Sequence, residues 1–280
     1  IRINVSFHEK LLINYLGSNH SKRLHSLSEF YKRNNNLGFP YIPKSNIENS
    51  IFIVGDSHSE YHGRNFDKIN KEYKINFRSI WTGPNLLIDF CNNKFVSNSV
   101  IKKLKKIFKD KQLNIILCYG EIDLRVAFYR LLYLSKKFDN IDYLIKFYVE
   151  SLEKKHANFQ KDLNEEFKVK VNIFFKEITP PTNINGELPK NLDDLNKIMK
   201  NNEFPTLGNK IERAIWNKRL NDAISKSSIK KYFLTIPKSG YNSKGLINEK
   251  FSDNHHFTDD IYLQLCQKNF LQQIEKVILL

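Results

Sequence analysis

The sequence predicts an α/β protein built on a mostly parallel sheet of five strands. Three observations predict it. Short apolar runs end in glycine, proline or turn residues, and between them lie stretches with apolar residues at helical spacing. Strands alternating with helices imply a parallel sheet with helices on both faces. A chain of 280 residues, 41% hydrophobic and 27% charged, is large enough to bury the core such a sheet needs.

Ile1–Ser50 is polar and mixed, and reads as an N-terminal extension packed on a main domain spanning 51–280. A helix is expected near Ser26–Lys32 and a turn-rich stretch over Asn34–Pro43. Ile51–Val54 is an all-apolar run ending in Gly55, the pattern of a buried parallel strand. Ser57–Lys71 can be helical, and Ile75–Ile80 is a second strand. Ser99–Phe108 follows as an amphipathic helix, then Leu113–Tyr119 as a third strand ending at Gly120. Ile141–Phe167 has apolar residues at helical spacing over a long stretch. Lys170–Phe175 is the fourth strand, and Thr179-Pro180-Pro181 forces an irregular loop after it. Lys210–Ser225 is a helix, Lys231–Ile236 the fifth strand, and Asp259–Ile278 the closing helix.

Composition narrows the function. The net charge of +15 invites a nucleic-acid reading, yet only nine of the 45 basic residues are arginine and the lysines are scattered. The densest run, Lys102–Lys111, reads as a solvated helix face, so no specific nucleic-acid role is expected. No apolar stretch approaches the roughly 20 residues of a membrane span. Ile1–Glu9 is charged and lacks the apolar centre of a secretory signal, so a cytoplasmic location is the expectation, with a longer parent chain left open. Cys91, Cys118 and Cys266 are far apart and read as reduced thiols. Neither a metal nor another cofactor is expected. His58 and His62 are four apart, and with His255 and Asp56 could be imagined around a metal, but a ligand set of ordinary spacing is missing. His8, His20, His25 and His156 read as surface residues.

Ligands in parallel sheets bind beyond the carboxyl ends of the strands, so the loops from Gly55, Thr82, Gly120, Thr179 and Pro237 matter most. After the first strand comes Gly55-Asp56-Ser57-His58-Ser59. The glycine permits a sharp turn, and Ser57 falls at a helix start, near backbone N–H groups and the positive helix end. A plain helix cap by Asp56 or Ser57 would have the same pattern. Before the last helix comes Asp253-Asn254-His255-His256-Phe257-Thr258. A serine hydroxyl needs a base to become a nucleophile, and the base needs a carboxylate to hold its tautomer. An Asp and a His three residues apart supply both, although a capping loop would look similar.

Taken together these blocks resemble those of the SGNH (GDSL-like) hydrolase family. A Gly-Asp-Ser follows the first strand, Thr82-Gly83-Pro84-Asn85 the second, Gly120-Glu121-Ile122-Asp123 the third, and Asp-x-x-His precedes the last helix. The resemblance covers Ile51 to the C-terminus. It implies a three-layer, flavodoxin-like α/β/α fold, Ser57 as nucleophile, His256 as general base and Asp253 as its orienting partner. It further implies oxyanion donation by the N–H groups of Ser57 and Gly83. The GDSH form is similar to the SGNH domains of polysaccharide O-acetyltransferases. The expected substrate is therefore an acylated carbohydrate or another small ester. The chain would be an esterase, with an O-acetyltransferase or an inactive carbohydrate-binding module as alternatives. One departure stands out: Ile122 occupies the place of the family's oxyanion-binding asparagine. Arg125 and Asn85 are candidate replacements. Glu121, Asp123 and Arg125 form a charged cluster at a strand end, as substrate contacts or as salt-bridged structure.

Overall fold

The computed structural model describes residues 49–201, 205–253 and 255–278. The expected N-terminal extension lies outside them, with its helix near 26–32 and turns at 34–43, apart from Asn49 and Ser50, which open the first strand. Five strands form one all-parallel sheet in the order β2-β1-β3-β4-β5. They are β1 (Asn49–Gly55), β2 (Ile75–Trp81), β3 (Gln112–Cys118), β4 (Lys170–Lys176) and β5 (Phe233–Leu234). Ile53 at the centre of β1 faces Ser79 on β2 and Ile116 on β3. Residues 50–55 of β1 are all buried, as expected of a strand covered on both faces.

Eight α-helices are described: α1 (Ser57–His62), α2 (Asp67–Tyr73), α3 (Leu87–Asn92), α4 (Lys94–Ile107), α5 (Ile141–Phe167), α6 (Leu192–Asn201), α7 (Lys210–Ile224) and α8 (Asp260–Ile278). Asparagine side chains start three of them. Asn93 accepts from the Phe95 N–H, Asn140 from Asp142 and Tyr143, and Asn209 from Ile211 and Glu212. Residues 46–188 and 206–280 make up the main compact unit, while 189–205, with α6, belong to a second.

In the main unit the sheet is the middle of three layers. On one face Ile51, Ile53, Phe77, Ile116 and Phe174 pack with Leu263, Cys266, Phe270 and Ile274 of α8. On the other, α5 lies against β4 and is flanked by α3, α4 and α7. There Phe159 of α5 meets Phe90 of α3 edge-on, with centroids 5.5 Å apart. The fold is the three-layer α/β/α arrangement that the sequence predicts.

Details depart from expectation for identifiable reasons. The helix expected over Ser57–Lys71 is two helices. The Gln267 amide of α8 donates to the carbonyls of His62 and Arg64, at 2.8 and 2.7 Å, and fixes the turn between them. The fifth strand shrinks from Lys231–Ile236 to two residues. Lys230–Tyr232 closes into a 3-10 turn, while the N–H groups of Thr235 and Ile236 go to the Gln273 and Glu177 side chains. Residues 121–134, unassigned from sequence, are helical with π turns at Asp123–Ala127 and Arg130–Leu134. His156 is not a surface residue: it is buried, with Nε2 2.8 Å from the Ile173 carbonyl of β4. Cys118 and Cys266 are buried and Cys91 half-buried. Among the described residues no helix is long and apolar enough to cross a membrane.

Candidate active site

The site grows from the carboxyl end of β1. A Cβ on Gly55 would lie 1.9 Å from the Cys118 carbonyl oxygen, so only glycine lets the chain leave the sheet here. The next residue, Asp56, is buried and caps α1, its Oδ1 accepting from the His58 N–H at 2.9 Å. Capping is thus done by Asp56, and Ser57 becomes the first residue of α1. Its hydroxyl is half-buried at the strand end.

His256 comes to this hydroxyl from the other end of the chain, 199 residues away. Ser57 Oγ and His256 Nε2 are 2.8 Å apart, and His256 Nδ1 is 3.4 Å from Asp253 Oδ1. The loop fixes the carboxylate before the imidazole uses it. Asp253 Oδ1 accepts from the N–H groups of His255 and His256 at 3.1 and 2.8 Å, and the Asp253 N–H donates to the His256 carbonyl. Burial alone would raise the Asp253 carboxyl, but the hydrogen bonds from His256 and His255 outweigh it and hold the group well below the usual carboxylate range. With 46% of its side chain exposed, solvent screens part of that field. His255 does not reach Ser57: its ring lies 6.3 Å from that of His256 and, through burial and the nearby Arg125 charge, is harder to protonate than usual.

The loop after β2 docks on the same strand end. The Thr82 N–H and hydroxyl both donate to the Gly55 carbonyl, at 2.8 and 2.9 Å. Gly83 follows with φ of 96°, a conformation that favours glycine. Among the described residues, no acceptor takes the N–H of Ser57 or of Gly83. Asn85 Nδ2 donates to the Thr82 carbonyl, 2.5 Å away, within its own turn.

The charged cluster after β3 is buried. Asp123 is fully buried and serves as the missing cap of α3. Its Oδ2 accepts from the Leu87 N–H at 2.6 Å, and its Oδ1 from the Tyr148 hydroxyl at 2.8 Å and, more loosely, the Ile88 N–H. Burial, partly offset by these donors, pushes its carboxyl up to about 6. Both Asp123 oxygens are thus engaged within the fold. Glu121 and Arg125 are buried together, Arg125 Nε 3.3 Å from Glu121 Oε2. The same carboxylate oxygen lies 3.6 Å from His58 Nε2, an electrostatic approach longer than a hydrogen bond. Burial would raise Glu121, yet Arg125 and His58 more than offset it and bring it down to about 2. His58, desolvated beyond what Glu121 can compensate, is pushed down to about 3 and is neutral. Ile122 is half-buried and offers no side-chain donor.

Two features went unread in the sequence. Tyr61, one helical turn after Ser57, stacks on His256 with centroids 4.8 Å apart and an interplanar angle of 23°. That i, i+4 spacing was the available signal. The second is charge in the interior: Lys176, at the end of β4, is buried with its ammonium donating to the Glu177 carbonyl and the Thr179 hydroxyl. Among the described residues no group of three or more His, Cys, Asp or Glu is placed to hold a metal ion.

No protein-family model matches the chain, and no curated protein matches it. Among solved structures, one given provisionally as a platelet activating factor from Streptococcus pneumonia is similar at 14% identity and a TM-score of 0.45. The superposition covers 95% of this chain and 98% of that one. So distant a likeness says nothing of what this chain acts on.

Proposed function

We propose that this chain is a serine-dependent ester hydrolase of the SGNH type, with Ser57 as nucleophile, His256 as general base and Asp253 as the group that orients it. The 2.8 Å approach of Ser57 Oγ to His256 Nε2, with Asp253 at Nδ1, carries the reading. Ser57 Oγ attacks the carbonyl carbon of the ester while its proton passes to His256 Nε2. The imidazolium is steadied by the Asp253 carboxylate. The oxyanion of the tetrahedral intermediate is bound by the N–H groups of Ser57 and Gly83. Collapse expels the alcohol, which takes the proton from His256, and leaves an acyl-serine. Water then attacks the acyl carbon and gives its proton to His256; collapse breaks the bond to Ser57 Oγ, which takes that proton back from His256 as the acid leaves.

The Gly55-Asp56-Ser57-His58 block, similar to that of polysaccharide O-acetyltransferases, supports an acylated carbohydrate as the substrate class. A sugar hydroxyl replacing water in the second half would make the same machinery a transferase. The test is covalent labelling with a fluorophosphonate alongside turnover of p-nitrophenyl acetate. The expected result is a single adduct on the Ser57 peptide, with turnover and labelling both lost in Ser57→Ala. Undiminished turnover in Ser57→Ala would overturn the reading. Acylated glycan appearing on addition of an acceptor would move the assignment from hydrolase to transferase.

A further inference from the structure

His256 is held by more than its loop. Three residues of α1 face it: Ser57 by hydrogen bond, His58 by a tilted ring contact at 4.7 Å, and Tyr61 by the stacked contact at 4.8 Å. Tyr61 also meets a cation. The Arg64 guanidinium carbon lies 4.8 Å from the centroid of the Tyr61 ring, and Arg64 Nη1 is anchored 2.8 Å from Asp260 Oδ1 at the start of α8. The Tyr61 ring therefore meets both the guanidinium and the imidazole that approaches Ser57.

We propose that Tyr61 is a positioning residue for the base: its ring face holds the His256 imidazole against Ser57 and steadies the cation formed when His256 accepts the serine proton. An aromatic face attracts a cation through its quadrupole, and an imidazolium stacked on it gains what a neutral imidazole does not. Arg64 works in the opposite sense. It draws on the same ring with a positive charge of its own. The two residues thus set the ease of protonating His256 against each other.

Other charged and titratable groups face His256 from every side. Asp253 and His255 come from its own loop, and His58 and His62 from α1. Glu121 and Arg125 act from the helical segment after β3, through His58 and His255, while Lys176 acts from the end of β4. Substitutions at Tyr61 and Arg64 leave all of these in place, so a change in His256 titration reports on the stack.

This inference rests on His256 being the base, so the test reads the ring directly as well as the reaction. His256 is titrated by NMR in the full chain, its resonance assigned by comparison with His256→Gln, and the acid limb of kcat/KM is measured beside it. Tyr61→Leu should make the His256 ring harder to protonate, its resonance moving at lower pH than in the unsubstituted chain. It should also lower kcat about ten- to a hundredfold with KM within about twofold. Tyr61→Phe, which keeps the ring, should restore both. Arg64→Gln should shift the titration the other way. Titration of Tyr61→Leu at the wild-type pH would overturn the proposal, as would a Tyr61→Phe variant as impaired as Tyr61→Leu. Should Tyr61→Leu fail to fold, an Arg64→Gln shift that is downward or absent overturns it equally. If Ser57→Ala stays active while the NMR shifts appear as stated, the catalytic reading falls and the ring interaction stands.

Discussion

Two histidines whose rings meet beside α1 each lie near a carboxylate, in contrasting surroundings. His256 lies 3.4 Å from Asp253 and is partly open to solvent, with a serine hydroxyl on its other nitrogen. His58 lies 3.6 Å from Glu121, is almost wholly buried, and shares its carboxylate with Arg125. For His58 the desolvation cost exceeds what Glu121 returns, so its pKa falls to about 3 and it cannot take up a proton in the neutral range. The carboxylate that would help it is satisfied by arginine instead. A histidine–carboxylate pair is therefore no mark of catalysis by itself. Access to water and a hydroxyl on the second nitrogen separate the two.

The comparison can be tested by substitution, beginning with the largest effect. His256→Ala should lower kcat for ester turnover by about three orders of magnitude or more, whereas His58→Gln should stay within about tenfold of wild type. Equal losses in the two variants would erase the distinction. Next comes Arg125. Its removal leaves Glu121 as an uncompensated buried charge, and breaking such a pair costs about 3–5 kcal/mol. Arg125→Ala should thus lower the urea midpoint sharply, with kcat of the folded fraction little changed. A loss of kcat by two orders without loss of stability would instead make Arg125 an oxyanion donor.

A subtler effect concerns Asp56. Burial, opposed by the His58 N–H and Lys176 and reinforced by Glu121 and Asp123, raises its carboxyl from 3.8 to about 8. The folded chain therefore keeps a proton that the unfolded chain has already released. By linkage this group's contribution to stability is full below about pH 4 and declines as pH rises to about 8. Asp56→Asn, which can still cap α1 through its amide oxygen, should flatten that decline in unfolding curves measured across this range. An unchanged pH profile would place Asp56 in its ionised form. Least of all, His255→Ala should cost less than about tenfold in kcat/KM, since its ring is 6.3 Å from that of His256. A loss matching that of His256→Ala would shift the base by one residue.

Sequence reading reached furthest where the pattern is local. Parallel strands buried on both faces leave continuous apolar runs, so β1, β3 and β4 were found within two residues of their ends. The meeting of Ser57, His256 and Asp253 was also legible, because each stands in a short block at a strand end or helix entry. What stayed hidden was set by partners far along the chain. Nothing near Asp123 says that it will cap α3 some 36 residues earlier, or near Thr235 that Gln273 will take its N–H. His156 looked polar and therefore exposed, yet the Ile173 carbonyl gives it a place inside. Long-range hydrogen bonds of this kind have no period in the sequence to betray them.

The short helix α1 has a further consequence. Ser57 and Tyr61, which both touch His256, sit within five residues of one another on a single turn and a half of helix. The base, by contrast, arrives on a loop nearly 200 residues away. His256 is tied by its backbone N–H to Asp253 and by its ring to α1, so it bridges the loop and the helix. Of the two contacts its ring makes there, the one to the loop carboxylate, at 3.4 Å, is longer than the one to the helix hydroxyl, at 2.8 Å.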